Sequence, residues 1–394
     1  MLGTSERSRA GFGHASMTRR VVILGGGAGG LVVANSLARS SLSGLEVVLV
    51  DRSTEHLFQP GLVPVLFGEA EPDVYRRPLR ELIAPGIELL NGEAQSIDPE
   101  AHLVTGSFGE LGYADLVVAL GADVEGASGS IGEQLAPWTL AGALAGRRAL
   151  ERIGPKTRVV VGATNVAYRC PPAVFDLAVR IRGTTGARVE VVHPWLAPLA
   201  PFGAQVSKAF AVMLEAASVR YRGDVHLESA DGRLTDSDGE IVDYDVAFVV
   251  PPHRPPGVIA RSPLAGESGW PQVSFSTLTH PSFADVSIVG DLAAVPLGVG
   301  MAGTLAISEG RYVADRLAAT IAGATPASGP VMSALCFVDT GRSGSLLACD
   351  FTGPASGTGT PSCVLLPMLG YFRRAKQLFA DEWFSDTIRG RATW

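Results

Sequence analysis

The residues of this 394-residue chain whose types and spacing could do chemistry are four cysteines, several glycines at strand ends and one strand-end aspartate. Cys170, Cys336, Cys349 and Cys363 form no Cys-x-x-Cys pair, so thiol chemistry here requires pairing over long range. Cys170 stands in Tyr168-Arg169-Cys170-Pro171-Pro172, where Arg169 could help to stabilise a thiolate. Cys336 lies in Ala334-Leu335-Cys336-Phe337-Val338, which also reads as a core strand, and Cys349 and Cys363 read as inert apolar cysteines. His193, His253 and His280 each adjoin a proline. An imidazole that titrates near about 6.5 can relay protons, although a structural role is the simpler reading for each. No clustered Cys/His, paired-carboxylate or zinc-helix pattern occurs, so no metal site is expected.

The glycines point to dinucleotide binding. Val21-Val22-Ile23-Leu24 is a β-branched run that ends in Gly25-Gly26-Gly27-Ala28-Gly29-Gly30 and continues with helical spacing, which predicts strand, turn and helix. Gly25 permits the tight turn, Gly27 lets the backbone approach a pyrophosphate, and Gly30 allows helix and strand to pack closely. The helix N-terminus, at Ala28, offers unpaired N–H groups to the anion. A second strand, Leu45–Val50, ends at Asp51, 21 positions after Gly30, where a carboxylate can accept ribose hydroxyls. Two further apolar strands end in glycine, at Gly121 and at Gly290-Asp291.

A second nucleotide loop is not found where it would be expected. The strand Arg158–Val161 runs into Gly162-Ala163-Thr164-Asn165, with one glycine in place of three, and then into two prolines. The next strand, Ala187–Val192, ends at His193 rather than at a carboxylate. Both features argue against a second bound dinucleotide.

The elements that must position these residues are those of an α/β protein. Hydrophobic residues make up 46% and charged residues 18%, which excludes a disordered chain. The net charge of −7, from 32 basic and 39 acidic residues, carries no footprint for nucleic acid. No run of 18 apolar residues occurs, so a membrane-spanning helix is not expected. The polar N-terminus lacks the apolar core of a secretory signal, and residues 1–19 read as a disordered extension. Near the other end, Leu369, Phe372, Phe379 and Trp383 recur at near-heptad spacing with Arg373, Arg374 and Lys376 between them, which predicts an amphipathic helix.

The three glycine-terminated strands resemble those of the two-dinucleotide-domain flavoprotein oxidoreductases. Tyr168–Ala173, His56-Leu57-Phe58-Gln59-Pro60, the proline-rich Val250–Pro256 and the Cys336–Gly341 and Cys349–Phe351 segments narrow the resemblance, in the same order, to the sulfide:quinone oxidoreductases and flavocytochrome c sulfide dehydrogenases. That resemblance implies two Rossmann-like domains: an FAD domain over 20–122 and 246–325, an inserted and altered NAD-type domain over 123–245, and a C-terminal redox and membrane segment over 326–394. It implies FAD contacts from Gly25, Gly27, Ala28, Gly30, Asp51 and Arg52, from Gln59 and Pro60, from Gly121, and from Gly290, Asp291, Gly298 and Met301, with Pro296–Gly303 opening one long helix through Arg316. The FAD is expected to be noncovalent, because residues 40–70 hold no cysteine. By the same resemblance Cys170 and Cys336 form the redox pair, 166 positions apart, and sulfide and a quinone are the substrates. Leu335, Phe351, Phe372 and Phe379 would line a quinone channel, and the chain would be cytoplasmic and peripheral on the membrane surface, with a homo-oligomer compatible. The alternatives are a type II NADH:quinone reductase, a non-catalytic flavin-binding sensor, and a soluble donor to a cytochrome.

Overall fold

The computed structural model describes residues 18–124, 130–131, 134–230 and 233–391; most of the N-terminal extension therefore lies outside the described residues. In chain order the elements that build the site are β1 (Arg19–Leu24), α1 (Ala28–Arg39), β2 (Leu45–Asp51), β3 (Ile87–Asn91), β4 (Asp115–Val118), β5 (Arg158–Ala163), α2 (Ala173–Thr185), β6 (Arg188–Val192), α3 (Ala204–Ala216), β7 (Arg220–Arg222), β8 (Val246–Val250), β9 (Val286–Ile288), α4 (Asp291–Leu297), α5 (Gly303–Ile321), β10 (Ser333–Asp339), β11 (Gly344–Asp350), β12 (Ser362–Leu365) and α6 (Gly370–Glu382).

The first sheet has the order β9-β4-β1-β2-β3, and every pairing in it is parallel. Its strands are continuous apolar runs because both faces are covered: Val21 to Leu24 and Leu116 to Val118 are fully buried. From β1 the chain winds one way to β2 and β3 and the other way to β4 and β9, so a crevice opens beyond the carboxyl ends of β1 and β4. Gly25, Asp51, Gly121 and Gly290 all follow or end strands at that edge.

A second parallel core, β7-β6-β5-β8, repeats the plan and is extended by Gln134–Leu135 beside β8. This corrects the expected return to the first domain at residue 246. Val246–Val250 pairs with β5 as a central strand of the second sheet, and the chain leaves that sheet only after it. A two-residue antiparallel pair, Asp123↔Arg254 and Val124↔His253, joins the two crossings. The α/β architecture is that expected from sequence.

The third unit is an antiparallel sheet, β10-β11-β12, with α6 packed on it. Thr304 fastens β10 to the first turn of α5: its hydroxyl donates to Leu335 O at 3.0 Å and accepts from Leu335 N–H at 2.9 Å. The single helix expected from residue 296 is two: α4 stops at Gly298, a left-handed cap with φ +76°, and α5 starts at Gly303. No described helix is long and apolar enough to cross a membrane.

Candidate active site

The glycine turn after β1 is crowded by its own chain. A Cβ on Gly25, which has φ +106°, would lie 2.3 Å from Ala119 O, and one on Gly30 would lie 1.9 Å from Gly25 O. Gly27 is different, since a Cβ there would meet nothing nearer than 4.0 Å. The closed side holds the loop against β4 and the open side faces the crevice, which is the shape a pyrophosphate needs. Asp51 Oδ2 accepts the Gly26 N–H at 2.5 Å and Oδ1 accepts the Ser53 N–H at 2.6 Å, so the carboxylate is held rigidly at the edge.

Beyond this cradle lies a cavity of about 710 Å³. Gly25, Gly27, Ala28, Asp51, Arg52, Gln59, Pro60, Gly121, Gly290, Asp291 and Met301 line it, as do Cys170 and Cys336. Gly30 stands behind the turn, and Gly298 caps α4 away from the lining. The first turn of α5, Gly303 and Thr304, takes the place given to Gly298. Of the apolar residues expected in a channel, Leu335 and Phe379 line the cavity, whereas Phe351 is buried against Phe202.

Three segments hold Cys170. Its N–H donates to Met301 O at 2.8 Å, and Trp138 Nε1 donates to the neighbouring Arg169 O at 2.8 Å. The third is Arg169 itself, whose guanidinium donates to Asp291 Oδ2 at 2.7 Å and to Ala122 O at 2.5 Å. Cys170 has φ +56°, a left-handed conformation that costs a non-glycine residue on the order of 1 kcal/mol and persists only where neighbours impose it.

Cys170 and Cys336 line the cavity together, and each thiol bears on the titration of the other. The Cys336 thiol, the Lys376 ammonium and the Ala173 N–H at the start of α2 hold the Cys170 thiol below its ordinary range against the opposing effect of burial. Cys336 is raised well above the thiol range by Cys170 and by burial. The cation that acts on the Cys170 thiol is therefore Lys376 on α6; Arg169, expected from its adjacency to serve there, is committed to Asp291.

Sequence reasoning also missed Asp176, which lines the cavity. Oδ2 accepts the Asp339 N–H at 3.0 Å, and Oδ1 has no hydrogen-bond partner among the described residues. Burial raises this carboxyl well above its ordinary value, beside the thiol pair. The signal was its place in the first turn of α2, six residues after Cys170; its burial could not be read locally. Asp339 gathers Arg180 at 3.3 Å, Arg373 at 3.6 Å and Lys376 at 3.8 Å, which fixes α6 to β10.

Phe379 and Trp383 of the C-terminal helical segment are buried against Phe58. Trp383 Nε1 donates to His56 Nε2 at 3.0 Å, which leaves His56 Nδ1 to donate to Gly26 O at 3.0 Å. Leu369, Tyr371 and Leu378 remain exposed. Burial pushes His193 down to about 3 and His253 down to about 4, so both are neutral structural groups rather than proton relays at neutral pH.

Glu309 on α5 is buried and accepts the Gly290 N–H at 2.5 Å, and burial pushes its carboxyl up to about 8. Between about pH 4.5, its value in the unfolded chain, and about pH 8 the folded protein binds the extra proton, so stability falls as pH rises through that window. Glu309→Gln is expected to flatten the decline in thermal midpoint over that range, as read by differential scanning fluorimetry.

Two stacked parallel units, a glycine cradle and a thiol pair at one cavity define a dinucleotide-dependent disulphide-type oxidoreductase. Residues 19–311 match the pyridine nucleotide-disulphide oxidoreductase family, and the chain belongs to it. It is 26% identical over 304 residues to the mitochondrial sulfide:quinone oxidoreductase of Mus musculus, a match covering 70% of this chain and 66% of that protein. It is 29% identical over 350 residues to the type II NADH:quinone oxidoreductase Ndh of Mycobacterium tuberculosis, covering 78% of this chain and 74% of that one. Among solved structures, the sulfide:quinone oxidoreductase of Aquifex aeolicus shares the fold with a TM-score of 0.81 at 20% identity, over 95% of this chain and 92% of that chain.

Proposed function

We propose that this protein oxidises sulfide through Cys170 and Cys336 and passes the electrons by way of FAD to a quinone. The observation that carries the reading is that Cys170 and Cys336, 166 positions apart, line one cavity, the same cavity that the glycine cradle opens into. FAD would be held, noncovalently, by Gly25, Gly27, Asp51, Gly121, Gly290 and the first turn of α5, all of which line the cavity. When bound it supplies a two-electron acceptor.

The chain's own residues do the sulfur chemistry. With the pair oxidised, HS⁻ attacks one sulfur; the Cys–Cys bond breaks, a persulfide forms on the attacked cysteine, and the other leaves as thiolate, so that charge and electrons balance. Lys376 stabilises the thiolate on Cys170, and Asp176 exchanges the proton of the persulfide. Thr304 and Met301 keep the two cysteines at one place, since each bonds the backbone beside or at a cysteine. Mouse sulfide:quinone oxidoreductase similarity supports the same substrates.

The similarity to an NADH:quinone oxidoreductase gives the second reading, and the inserted unit opposes it. A Cβ on Gly162, the one glycine of the β5 turn, would lie 2.4 Å from the buried Leu227 side chain, so apolar packing takes the place of an open cradle. Tyr168, which follows in that loop, is fully buried; its hydroxyl accepts from His193 Nε2 at 2.8 Å and donates to Pro171 O at 3.2 Å. The ribose carboxylate position at the end of β6 is thus a neutral histidine spent on the Cys170 loop. Electron delivery to a quinone is proposed at the α6 end of the cavity, with Leu369, Tyr371 and Leu378 seated on a membrane surface.

Anaerobic titration of the flavin-loaded protein with sulfide, then separately with NADH, tests this. Sulfide is expected to bleach the flavin absorbance and a soluble quinone to restore it, with no bleaching by NADH. Bleaching by NADH and not by sulfide would overturn the assignment.

A further inference from the structure

The C-terminal sheet carries a second cysteine pair that the chemistry above leaves unused. Cys349 on β11 lies directly opposite Cys363 on β12, and their sulfurs are bonded, a change from the inert cysteines read from sequence. The β10–β11 register is unbroken from Ser333↔Asp350 to Asp339↔Gly344 and sets Cys336 opposite Leu347. Directly opposed residues of an antiparallel pair share a face, as do residues two apart on one strand. Cys336, Leu347, Cys349 and Cys363 therefore project from the same side of this sheet. Cys336 and Cys349 are diagonal neighbours, a relation that separates residues by about 7–8 Å, so a bond between them requires β10 and β11 to shift locally toward one another. Cys349 is buried, whereas Cys363, on the edge strand, is only half-buried.

We propose that Cys349–Cys363 is a second redox-active pair, in thiol–disulfide exchange with Cys170 and Cys336. The Cys336 thiol gives its proton to the Cys170 thiolate, and its sulfur attacks Cys349 Sγ. The Cys349–Cys363 bond breaks, a Cys336–Cys349 bond forms, and Cys363 leaves as thiolate. Cys170 returns the proton to the departing sulfur and attacks Cys336 Sγ, which forms the Cys170–Cys336 bond and releases Cys349 as thiolate. Two electrons pass from the first pair to the second, charge is conserved, and no outside oxidant enters. The exchange turns two resting thiols into the disulfide that sulfide attack requires. A small-molecule disulfide restores Cys349–Cys363 by the same chemistry at Cys363 and takes up the two electrons. The inference deepens the function proposed above by supplying its oxidised pair. Its test involves no sulfide, so either can fail alone.

Flavin-loaded Cys170→Ser, in which Cys336 has no other partner, is incubated without oxygen at mildly alkaline pH, quenched in acid, alkylated and mapped by mass spectrometry of linked peptides. Peptides joining Cys336 to Cys349 or Cys363 are expected beside those joining Cys349 to Cys363. Recovery of the Cys349–Cys363 linkage alone overturns the proposal. The unmutated flavin-loaded protein gives the second measurement. With both pairs oxidised it receives less than one equivalent of a phosphine reductant, and free thiols are alkylated at intervals. Thiols spreading over both pairs at constant total support exchange, and thiols confined to one pair overturn it.

Discussion

Cys170→Ser is expected to lower sulfide-dependent flavin reduction on the order of 10³-fold or more while FAD stays bound, because it removes a member of the bond that breaks rather than a supporting contact. Serine fits the test because it tolerates the left-handed backbone at Cys170, φ +56°, no worse than cysteine does and keeps the N–H that donates to Met301 O at 2.8 Å. The loop therefore stays in place, and Arg169 still joins Asp291 and Ala122. Stopped-flow absorbance under argon reads the flavin directly, and the ratio of flavin to protein absorbance checks cofactor retention. A variant that is reduced by sulfide at the unmutated rate would remove Cys170 from the chemistry.

Gly300→Ala is expected to cost about 100-fold in the same assay, with FAD retained. A Cβ at Gly300 would lie 2.1 Å from Pro171 Cγ and 2.7 Å from its Cδ, so Pro171 or the segment through Met301 must move. Either movement displaces Cys170, whose neighbour is Pro171 and whose N–H bonds Met301, and about 1 Å of misplacement at a reacting centre costs about that factor. The three atoms nearest that Cβ all belong to Pro171 and none to the cradle at Gly25 and Gly27. Loss of sulfide reduction with flavin still bound is the expected pattern, and the thermal midpoint separates this from general unfolding. An unchanged rate would show that the loop yields without moving the thiol.

The glycine cradle was legible because its causes are local. A turn that needs φ +106° at Gly25, and a helix that passes so close that a Cβ on Gly30 would touch Gly25 O, can be written only with glycine. The missing second fingerprint was legible in the same way, and the structure supplies what fills the gap: Leu227 over Gly162 and the Tyr168–His193 bond. Spacing misled where a charge was assigned by adjacency. Arg169 precedes Cys170, yet its fork matches Asp291, a residue 122 positions away, and the thiol takes Lys376 from α6 instead. The amphipathic stripe of the C-terminal segment was found, but Phe379 and Trp383 turn inward onto Phe58, because an aromatic cluster there buries more apolar surface than a solvent-facing helix would.

By itself the sequence determined the parallel α/β plan, the dinucleotide turn, the lack of an open second one and the unusual Cys-Pro-Pro loop, all written in strand runs and turn residues within a few positions of one another. Only the tertiary structure decided which sulfurs meet. Cys336 reaches Cys170 because Thr304 pins β10 to α5, and Cys349 bonds Cys363 because a β-ladder sets them opposite. It also decided the direction of titration, raising the Asp176 carboxyl by burial and lowering the Cys170 thiol through Cys336, Lys376 and the start of α2. Hydrogen bonds and fields depend on distance in space, and residues more than a hundred positions apart acquire that distance only when the sheets have packed.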